Sequence, residues 1–211
     1  QVLVLLLVVI PTFIMAQNIN QFDENGKRHG VWKKTFDNTN VLRYEGAFKH
    51  GKEIGLFKFY KNINNEAVLT ATKQFNENDN LAEVTFYASN GMIISKGLMK
   101  EKKYIGAWTY YHNNSNQVMT LEHYNNQGQL HGESLVYYQS GQIAENRFYK
   151  EGKLHGKATW FYENGNLMKS YHYVQGELHG EAKFYNANGT LEIEGQYKND
   201  RKDGIWKYYK E

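Results

Sequence analysis

A glycine returns along this chain about every 24 residues, at Gly30, Gly55, Gly106, Gly132, Gly156, Gly180 and Gly204, and each time it heads the same worn pattern. The double interval between Gly55 and Gly106 holds one degenerate copy: Ala82 takes the glycine's place, and Val84, Phe86, Tyr87 and Gly91 follow in register. A fixed period of this length constrains the fold more than composition does. One supersecondary unit of that size cannot bury its own apolar face, so successive copies must stack and share a core.

Numbered from the leading glycine, the aromatic residues fall into columns. Position +4 reads Phe59, Phe86, Tyr110, Val136, Trp160, Phe184 and Tyr208; position +5 reads Tyr60, Tyr87, Tyr111, Tyr137, Phe161, Tyr185 and Tyr209; position +2 adds Trp32, Phe57, Val84, Trp108 and Trp206. Period two is a strand, with +2 and +4 on one face and +5 on the other. A turn follows at Gly91, Gly141, Gly165 and Gly189, mostly preceded by Asn or Ser, residues that suit a tight reversal. The return strand alternates too, as in Leu42, Tyr44, Gly46, Phe48 or Leu191, Ile193, Gly195, Tyr197. A second polar turn, such as Lys49-His50-Gly51-Lys52, leads into the next copy.

Each unit is therefore strand, turn, strand, turn. No apolar recurrence at i, i+3, i+4 and i+7 is sustained, and the single Pro precedes the array, so almost no helix is expected. The predicted fold is all-β: an elongated single-sheet solenoid of stacked antiparallel β-hairpins, about 24 residues per unit. Roughly fifteen strands at ~4.8 Å spacing give a sheet on the order of 70 Å long. Such a shape has much surface and little centre. Its cohesion must come from cross-strand pairs worth roughly 0.2–1 kcal/mol each, and 11 Phe, 17 Tyr and 4 Trp supply them.

Residues 1–16 read differently. An uncharged run from Val2 to Ile10, then Pro11 and the small Ala16 before polar Gln17-Asn18, has the form of the apolar core and cleavage end of a secretory signal peptide. The run is short of the ~20 residues that span a bilayer. Residues 17–211 are then the array, and the expected location is secreted, periplasmic or outer envelope. With no Cys, disulfides and thiolate metal sites are excluded, and neighbour stacking takes the place of staples.

Lys plus Arg is 25 against 22 Asp plus Glu, spread along the chain. The inter-unit turns carry Lys27, Lys49, Lys52, Lys102, Lys103, Lys150, Lys153, Lys198 and Lys202, a row able to meet anionic headgroups or to keep the sheet edge soluble. Glu24, Glu53, Glu101, Glu151 and Glu177 interrupt it, which argues against nucleic acid.

His29, His131, His155 and His179 each precede a leading glycine. Equivalent residues two strands apart stand about 9–10 Å from one another, too far to share an ion at ~2.1 Å, so these imidazoles read as turn chemistry and no metal or cofactor is expected. No phosphate loop, nucleophile elbow or His-Glu-x-x-His occurs. The only irregular stretch, Asn62 to Asn80, is short and polar. The expectation is a protein that is not an enzyme.

Aromatic rows in a one-layer sheet leave apolar ground exposed, which marks an interaction surface. The candidate binding residues are Tyr60, Tyr87, Tyr111, Tyr137, Phe161, Tyr185 and Tyr209 at +5, with Trp108 and Trp160. The unit Tyr44-Glu45-Gly46-x-Phe48-Lys49-x-Gly51-Lys52-x-x-Gly55, echoed in Ile193-Glu194-Gly195-Gln196-Tyr197-Lys198 and Gly26-Lys27-Arg28-His29-Gly30-Val31-Trp32, resembles the MORN repeat, particularly the bacterial variant found in exported proteins and in proteins labelled antitoxin components. The resemblance covers about residues 22–211. It implies stacked hairpins serving as scaffold, dimerisation module or membrane-proximal binding surface. The leading expectation is an exported scaffold that binds a protein partner, with self-association through the sheet ends a further option. The alternatives are an envelope binder of anionic lipid or glycan, and an antitoxin component. Glu145-Asn146-Arg147 and Lys169-Ser170-Tyr171 depart from Tyr-Glu-Gly and mark irregular copies.

Overall fold

The computed structural model describes residues 18–209; the leader lies outside them. Among the described residues eighteen strands form one antiparallel sheet and there is no helix. They are β1 (Gln21–Phe22), β2 (Arg28–Thr35), β3 (Leu42–Lys49), β4 (Lys52–Ile63), β5 (Glu66–Phe75), β6 (Leu81–Tyr87), β7 (Ile93–Lys100), β8 (Lys103–Tyr111) and β9 (Val118–Tyr124). The second half runs β10 (Gly132–Tyr137), β11 (Ile143–Lys150), β12 (Lys153–Leu154), β13 (Gly156–Phe161), β14 (Leu167–Val174), β15 (Glu177–Leu178), β16 (Gly180–Tyr185), β17 (Leu191–Lys198) and β18 (Arg201–Tyr208). Pairing is a meander in which successive extended segments bond to one another, as β3 does to β2 and β4. The pairs β12/β13 and β15/β16 are halves of one extended segment, since β11 pairs with both of the first and β14 with both of the second.

Within each unit the turn closes as the glycine spacing predicts. The Gly91 N–H donates to Ala88 O at 2.9 Å, and Gly141, Gly165 and Gly189 repeat the bond to Tyr138, Tyr162 and Asn186. Gly91 has φ +83°, a conformation costly for any residue with a Cβ.

The alternation contains a step that the sequence did not predict. Phe59 faces Ala71 while Tyr60 faces Leu69, leaving Thr70 unopposed in a β-bulge. The same slip lies between positions +4 and +5 in the other within-unit hairpins, with Arg43, Ile94, Met119, Ala144, Met168 and Glu192 as the extra residues. A bulge increases local right-handed twist, and β3/β4, β7/β8 and β17/β18 carry a further one between units.

Position +2 and the glycine of Tyr-Glu-Gly form a size pair. The rings of Phe57, Trp108 and Trp206 lie on Gly46, Gly97 and Gly195, where an added Cβ would overlap them. Where the motif departs, the sizes are exchanged. Arg147 and Tyr171 precede the small buried Ala158 and Ala182, and Tyr171 then supplies the ring itself, meeting Trp160 and Phe184 edge-on at 5.6 Å each. The copies read as irregular are therefore regular, with the large side chain moved one strand over.

Asn62 to Asn80 needs a similar correction. Its first part is the longest hairpin: β4 runs 12 residues and β5 10, joined by Asn64 and Asn65 at φ 52° and 64°, the two-residue reversal that Asn tolerates. Buried apolar residues are few, as a single layer requires. The main cluster is Ala82, Val84, Met99 and Trp108, packed by Phe75, Phe86, Tyr104, Tyr110 and Tyr124.

Candidate functional site

The face carrying +2 and +4 holds an aromatic ladder. Across β2 to β5 it runs Trp32 to Phe48 at 5.9 Å, Phe48 to Phe57 at 5.2 Å and Phe57 to Phe75 at 5.3 Å, each edge-to-face. Such contacts fix ring orientation and add about 0.5–1.5 kcal/mol apiece. Phe48 and Phe57 are buried, and above them opens a cleft of about 450 Å³ lined by Phe36, Tyr44, Phe48, Phe57 and Phe59, with Arg28, Lys34 and Arg43 beside them and Glu53 as a carboxylate. Arg28 sits 5.1 Å from both the Trp32 and Phe48 ring centroids, a cation–π placement that holds its charge at the cleft. The arrangement offers a rigid apolar floor with a cationic border.

The opposite face is polar, and there the +5 ring answers the Glu of Tyr-Glu-Gly. The Tyr60 hydroxyl donates to Glu45 Oε1 at 2.9 Å, while Lys33 and Lys58 reach the same carboxylate at 3.3 and 3.6 Å. Burial alone would push Glu45 up, but the bonds from Tyr60 and Lys33 and the nearby ammonium charges hold it below the usual carboxylate range. Burial, and then the Glu45 bond, push Tyr60 up to about 12. The last unit repeats the set, with Tyr209 donating to Glu194 at 2.7 Å and Lys207 at 3.0 Å. Between them Thr72 stands 3.4 Å from the Tyr87 hydroxyl, and Lys96 lies 5.8 Å from the Tyr111 ring.

The sequence-derived binding residues therefore divide. Tyr60, Tyr87, Tyr111, Tyr137, Phe161 and Tyr185 form a half-buried column along the polar face, and Tyr209 at its end is exposed. Trp160 is half-buried on the aromatic face, with the Lys169 ammonium 4.8 Å from its ring. Trp108 is corrected: it is fully enclosed, stacked on Tyr104 at 3.7 Å with its indole N–H donating to Leu98 O at 2.9 Å, and it offers nothing to a ligand. Its neighbour Gly97 makes room for the ring to sink, a pairing the column count did not weigh.

A column at +6 went unread. His112, Tyr138 and Tyr162 each donate to the +5 carbonyl of the next unit, Tyr137, Phe161 and Tyr185, at 3.1, 2.7 and 3.0 Å. Only the recurrence of polar rings after +5 signalled these staples.

The lysine row is partly occupied. The Lys27 and Lys103 stems lie over Gly51 and Gly128 of the adjacent turns, and Lys49 and Lys52 both bind Glu77, at its carboxylate and its carbonyl. His131, His155 and His179 donate backbone N–H bonds to His123, Phe148 and His172 carbonyls at 2.8 Å; of their rings, His131 Nδ1 accepts from Glu151 N–H at 3.4 Å and His179 Nδ1 lies 3.3 Å from Asn199 Oδ1. His29 differs. It lies near Asp23 and His50, the three offering ligand atoms within 4.8 Å of one another.

Residues 130–153, 154–175 and 178–199 match the family described as MORN repeat variant, as three consecutive repeats. No curated protein matches the chain. Among solved structures, a S. aureus TarM mutant in complex with fondaparinux, α-GlcNAc-glycerol and UDP is 14% identical, covering 59% of this chain and 19% of its own at a TM-score of 0.23. A second structure of TarM is 14% identical over 62% of this chain and 20% of its own, with a TM-score of 0.22. This chain thus spans about a fifth of either structure. Among the described residues no helix is long and apolar enough to cross a membrane.

Proposed function

We propose that this MORN-repeat array is a non-catalytic scaffold of the bacterial envelope that holds a protein partner on the aromatic face of β2 to β4. The repeats support a binding scaffold. The cleft over Phe48 and Phe57, with its border of Arg28, Lys34 and Arg43, carries the finer reading. A floor of fixed rings spares a ligand the cost of ordering them, and aromatic and Arg residues are those that dominate interface energy. The matching partner segment is extended, apolar at its centre and acidic at its flanks. The envelope location rests on the apolar run Val2 to Ile10 followed by Pro11 and Ala16.

The rival reading, an anionic lipid or glycan bound along the turns, is less favoured because those lysines already cover neighbouring glycines and bind Glu77. The two differ in salt response. Apolar partner contacts persist at about 0.5 M salt, whereas headgroup attraction fades once charges are screened beyond a few ångströms. The test is crosslinking and co-purification from envelope fractions at low and high salt, with Tyr44→Ala and Phe59→Ala beside the unaltered chain. A partner retained in high salt and lost in both variants supports the proposal. Retention on anionic vesicles that vanishes in salt, or capture unchanged by the variants, defeats it. Mass spectrometry of the mature N-terminus tests the envelope assignment separately.

A further inference from the structure

We propose that Asp23, His29 and His50 form a binding site for one divalent transition-metal ion of the zinc type, clamping the β1–β2 turn and the start of β2 to the β3–β4 turn. The three side chains bring ligand atoms within 4.8 Å of one another. His50 Nδ1 is 2.8 Å from Asp23 Oδ2, and the His29 and His50 rings stand 4.9 Å apart. Ligands at ~2.1 Å from a shared ion lie about 3.4 Å from each other in a tetrahedron, so the site closes on an ion by movement of about an ångström in two imidazoles. Both belong to exposed residues free to make it.

The carboxylate is already fixed. Asp23 Oδ1 accepts backbone N–H bonds from Asn25 and Lys27, both at 2.9 Å, and its side chain is only 8% exposed against 63% for His50. Hydrogen bonds from a second layer that orient a ligating carboxylate are what metal sites use to hold affinity. Two imidazoles and one carboxylate suit zinc and its neighbours over magnesium or calcium, and leave an open position for water or a partner's side chain.

The array supplies its own comparison. The turn opened by Asn125 has the same frame: Asn125 Oδ1 accepts from Gln127 and Gln129, and Gly152 N–H bonds Leu130 O as Gly51 N–H bonds Arg28 O. There the three places hold Asn125, His131 and Glu151. The backbone alone thus does not assemble the ligand set; the first turn places an acid and a second imidazole where the later one has an amide and a glutamate.

The test uses the full chain purified without a histidine tag and titrated with zinc chloride by calorimetry, with cobalt(II) absorption reporting coordination. Asp23→Asn keeps the oxygen that accepts the turn's N–H bonds, and His50→Asn suits the φ of 50° at that position. One ion per chain is expected. Affinity should fall roughly a hundredfold in each variant and be unchanged in His131→Asn, with zinc raising the melting temperature of the parent but of neither ligand variant. Absence of saturable binding, or equal loss in His131→Asn, would overturn the site. Metal-free melts of the variants matching the parent show that any loss is not unfolding.

Discussion

At the scale of single residues, the sheet is held by side chains that fit only in pairs. Trp108 sinks onto Gly97 because nothing projects from that backbone, so Gly97→Ala should cost about 1–3 kcal/mol, the range of overpacking in a well-packed core. Trp108→Ala removes the ring and should cost about 3–5 kcal/mol. The double variant should be more stable than the sum implies, because the added methyl then has space. Urea melts of the cycle decide it, and strict additivity would refute the size pair. Glu45 gives a second prediction. Its folded pKa lies below its ordinary 4.5, so the stability it contributes is present above that value and lost as pH falls through the folded one. Tyr60 is raised to about 12, and its contribution is present below pH 10 and lost as pH climbs toward 12. Glu45→Gln should lower stability at neutral pH by about 1 kcal/mol and flatten the acid limb of the urea midpoint against pH. An unchanged acid limb would dissociate Glu45 from that loss.

At the scale of elements, the hairpin and its turns were readable and the bulge was not. Alternation at Leu42, Tyr44, Gly46 and Phe48, with glycines at Gly91 and Gly141, fixes strands and reversals because side-chain direction and positive φ are local properties. Thr70 or Ile94 becomes the unopposed residue only through the length of the facing strand, which no local period records. The cleft was half legible. Phe57 and Phe59 stood in their columns, yet Arg28, Phe36 and Arg43 come from other positions of the unit and meet only when β2, β3 and β4 pair. The same limit hid the metal candidate, since His29 and His50 occupy different columns. The two-residue turn at Asn64 and Asn65 shows what local chemistry does control. Both need positive φ, so Asn65→Gly should hold or raise stability by a few tenths of a kcal/mol, whereas Asn64→Val should lower it by about 1–2 kcal/mol. Thermal melts of the two variants distinguish them, and equal effects would show that the turn does not enforce its dihedrals.

At the scale of the whole molecule, strand pairing joins each unit to the next, and side-chain bonds such as Tyr138 to Phe161 O reach one unit along, which gives the array a property that a compact core lacks. With β12/β13 and β15/β16 each taken as one segment, strands pair with their neighbours in sequence from β1 with β2 to β17 with β18, so stability is a sum of unit and interface terms rather than one cooperative interior. A whole interior repeat is then removable if the cut preserves the turn. Excising Gly156 to His179 joins His155 to Gly180, restoring the His-Gly step already present at both places, and sets Ala182 where Ala158 was. The Arg147-to-small-residue pairing survives, because Arg147 then precedes Ala182. The shortened chain should keep its β circular dichroism and lose about 10 Å of length by small-angle scattering, the width of two strands. Its urea m-value should fall by roughly a tenth, in proportion to the surface removed. Loss of the β signal would mean that the sheet depends on contacts between distant units, and the nearest-neighbour account would fail with it.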